Sequence, residues 1–284
     1  MQTQLSLEFF PPKTPKGMDK LKGVVERLRP LQPAYCSVTY GAGGSTRDGT
    51  FATVDWLCQQ GIDTAPHLSC IGASADELQA ILERYRDQGI RRIVALRGDL
   101  PSGAGLGEPG EFNYANELVS FIRDRFGDHF HIEVAAYPEF HPQAPSAWQD
   151  LDNFKRKVEA GAHGAITQYF YNPDAYWRFL DDCQGRGITL PIVPGIMPIT
   201  NYVNLARFSD ACGAEIPRWL RKRLEAFGDD RQGLFDFGVE VVAELCRRLL
   251  EGGAPGLHFY TMNQAEATEA ICRALDLPHG ETAA

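Results

Sequence analysis

Short apolar runs alternate with longer segments in which apolar residues recur at helical spacing, and this pattern continues along the whole chain. The short runs are rich in β-branched and aromatic residues, which is typical of strands. Eight such runs predict strands at residues 5–10, 34–40, 64–70, 92–97, 132–137, 164–169, 190–194 and 256–260.

Amphipathic segments between these runs predict helices at residues 18–29, 50–60, 75–88, 114–125, 151–160, 173–184, 202–211 and 264–275. Two further helical segments, a basic one at 217–224 and a long one at about 236–251, precede the eighth strand. Strands and helices in alternation form a parallel sheet, and eight units close into an α/β barrel. We therefore expect one (β/α)8 TIM barrel domain over residues 1–284, with extra helices before strand eight. A doubly wound open sheet is the competing topology.

Polar groups with chemical capacity follow six of the eight predicted strands, at the end where such a barrel keeps its active site. Each of these side chains has a structural explanation of its own. Their common position favours an active site, because polar groups buried at one end of a barrel are costly unless they are paired or used. They are Glu8, Thr39, Tyr40, His67, Ser69, Arg97, Asp99, Tyr137, Glu139, His141 and Gln168.

Glu8 lies in the segment LEFFPP at positions 7–12, where two prolines end the first strand. A carboxyl group held among aromatic side chains is harder to ionise. We therefore expect the pKa of Glu8 to rise toward neutrality, so that the group could donate a proton at cellular pH. A buried glutamate paired with an arginine is the alternative interpretation.

Composition and charge limit the partners. A net charge of −9 and a pI near 5.3 argue against a nucleic-acid or anionic membrane surface, and no apolar run or signal-peptide pattern indicates export. We expect a cytoplasmic protein. The seven cysteines form no C-x-x-C pair and suit reduced core thiols. His129 and His131 precede the fifth strand, and we interpret them as solvated strand-start residues rather than metal ligands.

Several motifs resemble those of the methylenetetrahydrofolate reductase family. They occur in this order: LEFFPPK at 7–13, VTYGAGGS at 38–45, LRGDLP at 96–101, AYPEFHP at 136–142, KRK at 155–157, AITQYF at 165–170, PGIMP at 194–198 and HFYTMN at 258–263. The resemblance covers nearly the whole chain and matches the catalytic barrel only. It implies an FAD enzyme that uses NADH or NADPH to convert 5,10-methylenetetrahydrofolate into 5-methyltetrahydrofolate by a ping-pong cycle, and a homo-oligomer.

The resemblance also implies roles for individual residues. Glu8 would be the general acid that opens the folate's five-membered ring, after which reduced flavin delivers a hydride. Asp99 would lie near the flavin and the pterin, and Gln168 would bind the pterin amide edge. Thr39 would lie beside the flavin. The other residues implied to bind FAD are Tyr40, Ala42, His67, Arg97, Gly98, Asp99, Tyr114, Ala115, Tyr137, His141, Ala144, Asp150, Asn153, Arg156 and Lys157.

Two positions depart from the family pattern. Lys222 stands where bacterial relatives carry a glutamine that contacts folate, and Gln264 stands where an arginine is common. We therefore expect the folate glutamate tail to be held differently, with Lys222 and Gln264 among the substrate-binding residues. Three other classes stay open at this point: a flavin barrel that oxidises an amino acid such as proline, a flavin-free folate methyltransferase, and a non-enzymatic assembly subunit.

Overall fold

The computed structural model of this chain describes residues 4–40, 47–98 and 110–277. Two predicted site residues, Ala42 and Asp99, lie outside these ranges. Within them, all of the predicted strands are present, and one is divided into two. The strands are β1 (Gln4–Phe9), β2 (Tyr35–Val38), β3 (Thr64–Ser69), β4 (Arg92–Leu96), β5 (His131–Ala136), β6 (Gly164–Thr167), β7 (Ile192–Val193), β8 (Gly195–Ile196) and β9 (Gly256–Tyr260).

The strands form one parallel sheet with the order β7-β6-β5-β4-β3-β2-β1-β9-β8. Only Pro194 separates β7 from β8. The first of these pairs with β6 and the second with β9, so the two are halves of one strand that closes the sheet. Pro194 has no N–H to donate, but its carbonyl accepts a hydrogen bond from the backbone of His258 at 3.0 Å. This closure confirms the TIM barrel and excludes the open sheet.

Several strands end earlier than predicted. Thr39, Arg97, Tyr137 and Gln168 therefore lie in the first positions after β2, β4, β5 and β6 rather than inside them. The backbone N–H groups of Thr39 and Gln168 still reach the neighbouring strands, at Phe9 O (2.9 Å) and Ala136 O (2.8 Å). Thr39 and Gln168 are thus each held at the C-terminal rim by one backbone hydrogen bond beyond the regular ladder.

The helices surround the barrel, and several begin earlier than predicted because polar residues cap them. Thr14 caps the first, Ser146 the fifth and Asp230 the ninth, each by accepting a backbone N–H with its side chain. None of the described helices is long and apolar enough to cross a membrane. The helices are α1 (Pro15–Leu28), α2 (Arg47–Gln59), α3 (Ala75–Asp87), α4 (Ala115–Phe126), α5 (Ala147–Glu159), α6 (Pro173–Gly185), α7 (Tyr202–Cys212), α8 (Arg218–Ala226), α9 (Arg231–Glu251) and α10 (Glu266–Ala274).

Alternation of side chains along each strand separates two environments. On β1, Leu5, Leu7 and Phe9 belong to the large apolar core between barrel and helices. Ser6 and Glu8 instead contact side chains of other strands across the barrel interior. The residues of β1 that face the barrel interior are therefore polar, and those that face the helices are apolar.

The N-terminal half of the barrel interior holds a charged cluster. Glu133 Oε1 lies 2.6 Å from Arg92 Nη1 and 2.9 Å from His131 Nε2, and the ring of His131 stacks on His163 at 4.8 Å. His131 begins β5 as predicted, but it is half-buried in this cluster and is not a freely solvated residue. The described residues contain no group of three or more side chains arranged to hold a metal ion.

Candidate active site

Glu8 is the centre of a polar cluster at the C-terminal half of the barrel. Its Oε2 lies 3.2 Å from Nε2 of His67 on β3 and 3.5 Å from Nε2 of His258 on β9. The hydroxyl of Ser37 on β2 lies 3.5 Å from the same oxygen. On the far side of its ring, Nδ1 of His258 is 2.8 Å from the hydroxyl of Ser6. Side chains from four consecutive strands, β3, β2, β1 and β9, thus meet at one carboxylate.

The expected rise in the pKa of Glu8 is wrong. Burial raises the pKa, but the two facing histidines, His67 first, outweigh it and lower the pKa of Glu8 to about 2. The aromatics next to it in the sequence do not enclose it, because Phe9 points to the opposite face of β1 and Phe10 is exposed. The carboxyl is therefore ionised, with imidazoles as its partners rather than the arginine of the alternative interpretation.

The turn after β9 fixes the backbone at Glu8 and just after it. The hydroxyl of Thr261 donates to the carbonyl of Glu8 at 2.6 Å. The Asn263 side chain accepts from the backbone N–H of Phe10 at 3.0 Å and donates to its carbonyl at 2.8 Å. Asn263 has a φ of +52°, a conformation that asparagine tolerates better than most residues. Sequence reasoning missed both positioning roles, although the segment HFYTMN contains both residues.

The loops after β4 and β5 are tied together by Arg97. Its Nη2 donates to Oε1 of Gln143 at 2.6 Å, and its Nε donates to the carbonyl of Gly98 at 3.2 Å. Gly98 has a φ of +88°, and an added Cβ would lie 2.9 Å from Ser69 and Ile71 side-chain carbons. Glycine is therefore required where this loop turns. Gln143 was not among the predicted site residues.

The loop from β5 to α5 is built around His141. The carboxylate of Asp150 accepts its backbone N–H at 2.9 Å, and its ring packs edge-on against Tyr137 with 4.7 Å between centroids. The backbone N–H of Ala144 donates to the carbonyl of His141 at 2.8 Å. The structure thus brings together four of the predicted site residues, Tyr137, His141, Ala144 and Asp150.

Two cations from the KRK segment lie on α5. Lys157 donates to the carbonyl of Ala135 on β5, and burial lowers the pKa of its amine to about 8, partly offset by Asp150. Arg156 is exposed, and its nearest partner is the amide oxygen of Asn153 at 3.4 Å. Within the described residues, neither Arg156 nor Lys157 forms an ion pair with a carboxylate, and neither does Arg97. These three cations remain available to an anion.

The remaining predicted residues occupy the same rim. Tyr40 is half-buried beside Arg47, and burial raises the pKa of its hydroxyl. Tyr114 is 59% exposed immediately before Ala115, the first residue of α4. Gln168, after β6, accepts its neighbour's backbone N–H with Oε1 at 3.0 Å.

Lys222 and Gln264 lie on different elements. Lys222 is on the exposed side of α8, where its amine is 3.1 Å from Oε2 of Glu225. Gln264 is exposed in the turn after β9, with its backbone N–H on the carbonyl of Thr261 at 2.9 Å. Both side chains are open to solvent, so both are accessible to a charged ligand.

Residues 1–276 match the family model described as methylenetetrahydrofolate reductase. The chain belongs to this family. It is 42% identical over 280 residues to the 5,10-methylenetetrahydrofolate reductase of Escherichia coli K12, covering 98% of this chain and 93% of that protein. It is 38% identical over 291 residues to methylenetetrahydrofolate reductase (NADH) 1 of Arabidopsis thaliana, covering 97% of this chain and 49% of that protein. The resemblance of the motifs is confirmed.

A solved structure shows the same fold. It is an uncharacterized protein from Clostridium thermocellum that binds two copies of 5-methyl-5,6,7,8-tetrahydrofolic acid. The TM-score is 0.68 at 20% identity, over 98% of this chain and 95% of that one. Membership of the reductase family favours folate reduction over the amino-acid dehydrogenase and the flavin-free methyltransferase.

Proposed function

We propose that this protein reduces 5,10-methylenetetrahydrofolate to 5-methyltetrahydrofolate, with bound FAD as cofactor and NADH or NADPH as electron donor. The observation that carries the proposal is Glu8, a partly buried carboxylate between His67 and His258 at the rim of the barrel. Family membership supplies the substrate class, and the geometry supplies a group able to move a proton to it.

The residues at the rim fit FAD. Arg97, Arg156 and Lys157 have no carboxylate partner within the described residues, so a pyrophosphate would find charge-assisted donors there. When bound, FAD supplies a two-electron carrier between the nicotinamide and the folate.

The proton for ring opening would come from the Glu8 cluster as a unit. Because the pKa of Glu8 lies at about 2, the carboxylate form dominates, and a proton has to be returned to it by a neighbouring group. His67 and His258 both contact Oε2. We propose that they hold this proton and pass it through Glu8 to the folate amine as the ring opens.

Gln168 and the two divergent positions would hold the substrate. The Oε1 atom of Gln168 is used by the backbone of Tyr169, which leaves its amide N–H groups for the pterin. Lys222 and Gln264 would meet the glutamate tail, whose carboxylates suit the exposed amine of Lys222. The nicotinamide and the folate would occupy the Thr39 side of the site in turn, in a ping-pong cycle.

Anaerobic visible spectroscopy tests the proposal. Protein reconstituted with FAD should show a flavin band that bleaches with NADH or NADPH and returns when methylenetetrahydrofolate is added. The nicotinamide that bleaches the band faster is the preferred donor. A protein that does not bind FAD, or a bleached protein that folate does not reoxidise, would contradict the proposed function.

A further inference from the structure

The connection between α7 and α8, residues 213–217, lies against the loop that follows β5, residues 137–142. Residues of both segments line one cleft at the C-terminal rim. The approach is close at Gly213, which has a φ of +75° and where an added Cβ would lie 3.3 Å from the side chain of Pro142. Two segments that are far apart in the sequence therefore pack against each other here.

The carboxylate of Glu139 joins these two segments. Its Oε2 accepts the backbone N–H of Glu215 at 2.8 Å. The side chain of Glu215 is exposed and takes no part in this bond, whereas Ala214 and Ile216 on either side of it are buried. The hydrogen bond therefore fixes the backbone of the connection at its middle residue.

Glu139 is a half-buried acid, and burial raises its pKa to about 6. The N–H of Glu215 and the guanidinium of Arg178 act in the opposite direction and favour the charged form, while the carboxylate of Glu215 disfavours it. Above this pH the carboxylate is ionised, and an ionised acceptor forms a stronger hydrogen bond than a neutral one. The charge of Glu139 thus strengthens the contact with the connection.

The loop on the Glu139 side of the contact is strained. Phe140 has a φ of +62°, a conformation that bulky residues rarely adopt. Such a backbone persists only where its surroundings hold it. Glu139 holds it on one side, and on the other the backbone N–H of His141 donates to Asp150 at 2.9 Å. The contact therefore links a constrained loop to the connection.

The same region leads to two residues assigned above to the folate. Gln168 and Tyr169 line the cleft, and the hydroxyl of Tyr169 lies 3.0 Å from that of Ser209 on α7. On the other side of the connection, α8 begins at Arg218 and carries Lys222. The connection held by Glu139 is thus next to Gln168 and leads directly into the helix of Lys222.

We propose that Glu139 is a positioning residue for the folate side of the site. Its carboxylate holds the α7–α8 connection against the loop after β5, and so keeps α8 in place at the rim beside Gln168. This inference rests on the proposed function, because that function assigns Gln168 and Lys222 to the folate. Glu139 acts through these residues.

Hydrogen exchange followed by mass spectrometry on the FAD-loaded protein tests the contact itself. Glu139→Ala removes the acceptor and should speed exchange across residues 213–226, while α3 should exchange as in wild type. Glu139→Gln keeps an oxygen that can accept the N–H and should recover most of the protection. Unchanged exchange in Glu139→Ala would overturn the proposal.

Glu215→Gln is the matched control. It alters only the exposed side chain and keeps the backbone N–H that donates to Glu139. Its exchange and its folate kinetics should both follow the wild type. Losses in Glu215→Gln as large as those in Glu139→Ala would assign the effect to surface charge and contradict the role of the hydrogen bond.

Stopped-flow reoxidation at several concentrations of methylenetetrahydrofolate separates positioning from chemistry. Glu139→Ala should raise the half-saturating folate concentration about tenfold, as expected for the loss of a hydrogen bond to a charged group. The limiting rate at saturation and the rate of reduction by NADH or NADPH should change little, and Glu139→Gln should lie closer to wild type. An unchanged half-saturating concentration, or an equal loss in both half-reactions, would overturn the proposal.

Failure of this inference is distinguishable from failure of the proposed function. A wild-type protein whose reduced flavin is not reoxidised by folate would contradict the proposed function before any variant is compared. The exchange measurement does not depend on folate turnover, so it decides in either case whether Glu139 holds the connection and α8.

Discussion

Nε2 of His67 lies 3.2 Å from Oε2 of Glu8, although strand β2 separates the strands that carry them. The contact crosses the inside of the barrel and exists only because the sheet is closed and curved. With His258 on the other flank, it places the Glu8 carboxylate between two imidazoles.

The folate half-reaction should depend on Glu8 far more than the nicotinamide half-reaction does. Glu8→Gln keeps the size of the side chain but removes the carboxylate through which the proton would pass to the folate, so reoxidation by folate should slow by about 10²–10⁴-fold. Reduction by NADH or NADPH should change little. Stopped-flow absorbance of each half-reaction measures the two rates, and an equal loss in both would contradict the role.

The stability of the protein should depend on pH through the same carboxylate. The pKa of Glu8 is lowered from 4.5 to about 2, so its ionised form stabilises the fold above pH 4.5, and this contribution is lost as pH falls toward 2. By linkage the contribution is about 3 kcal/mol. Urea unfolding at pH 6 and pH 3 should show a smaller acid loss for Glu8→Gln than for wild type. Glu26→Gln, an exposed change on α1, is the control and should follow the wild type.

Substitution of two neighbouring lysines of α5 should have different effects on the affinity for FAD. Lys157→Met removes a partly buried cation that has no carboxylate partner within the described residues, and should weaken FAD binding by about tenfold or more. Lys155→Met removes the same charge from a lysine that lies 3.7 Å from Glu159 and should have little effect. Quenching of flavin fluorescence measures both dissociation constants.

The same titration followed across pH tests the charge of Lys157. Because its pKa is lowered to about 8, wild-type affinity for FAD should decline as pH rises from 7 to 9. Lys157→Met should lack this decline. A parallel decline in both proteins would assign the pH dependence to another group.

The Asn263 clamp should contribute to stability through its side-chain amide as well as its backbone conformation. Asn263→Ala loses two hydrogen bonds to Phe10 and places alanine at a φ of +52°, so we expect a loss of about 2–3 kcal/mol. Asn263→Gly keeps the backbone conformation accessible and should recover part of that loss. Thermal unfolding of the two variants separates the contribution of the hydrogen bonds from that of the backbone conformation. Equal losses of stability in both variants would mean that the hydrogen bonds alone account for the effect of Asn263.

Lys222 should matter for substrate and not for stability. Its ion pair with Glu225 is exposed, so its loss should change the free energy of unfolding by less than about 1 kcal/mol. If the amine meets the glutamate tail, Lys222→Ala should raise the Michaelis constant for folate severalfold with kcat little changed. An unchanged Michaelis constant would remove Lys222 from the folate site.

The alternation of strands and helices was predictable because each element carries its own periodicity. The division of the seventh strand was not predictable. It depends on how the residues on either side of Pro194 pair with β6 and β9 when the sheet closes. The environment of Glu8 was misjudged for a related reason: sequence proximity suggested Phe9 and Phe10, whereas the barrel supplies His67 and His258 from distant strands. Gln143 likewise acts through Arg97, a contact between two loops that no local pattern indicates.

The divided seventh strand also sets where the barrel wall is weakest. Strands β7 and β8 each contribute two residue pairs to the sheet, whereas β1 and β9 share five. Gly195 admits no side chain, because a Cβ there would collide with the Thr167 carbonyl and the ring of Tyr260. Local opening of the native protein should therefore begin at this seam, and evolution has little freedom to reinforce it with a larger residue.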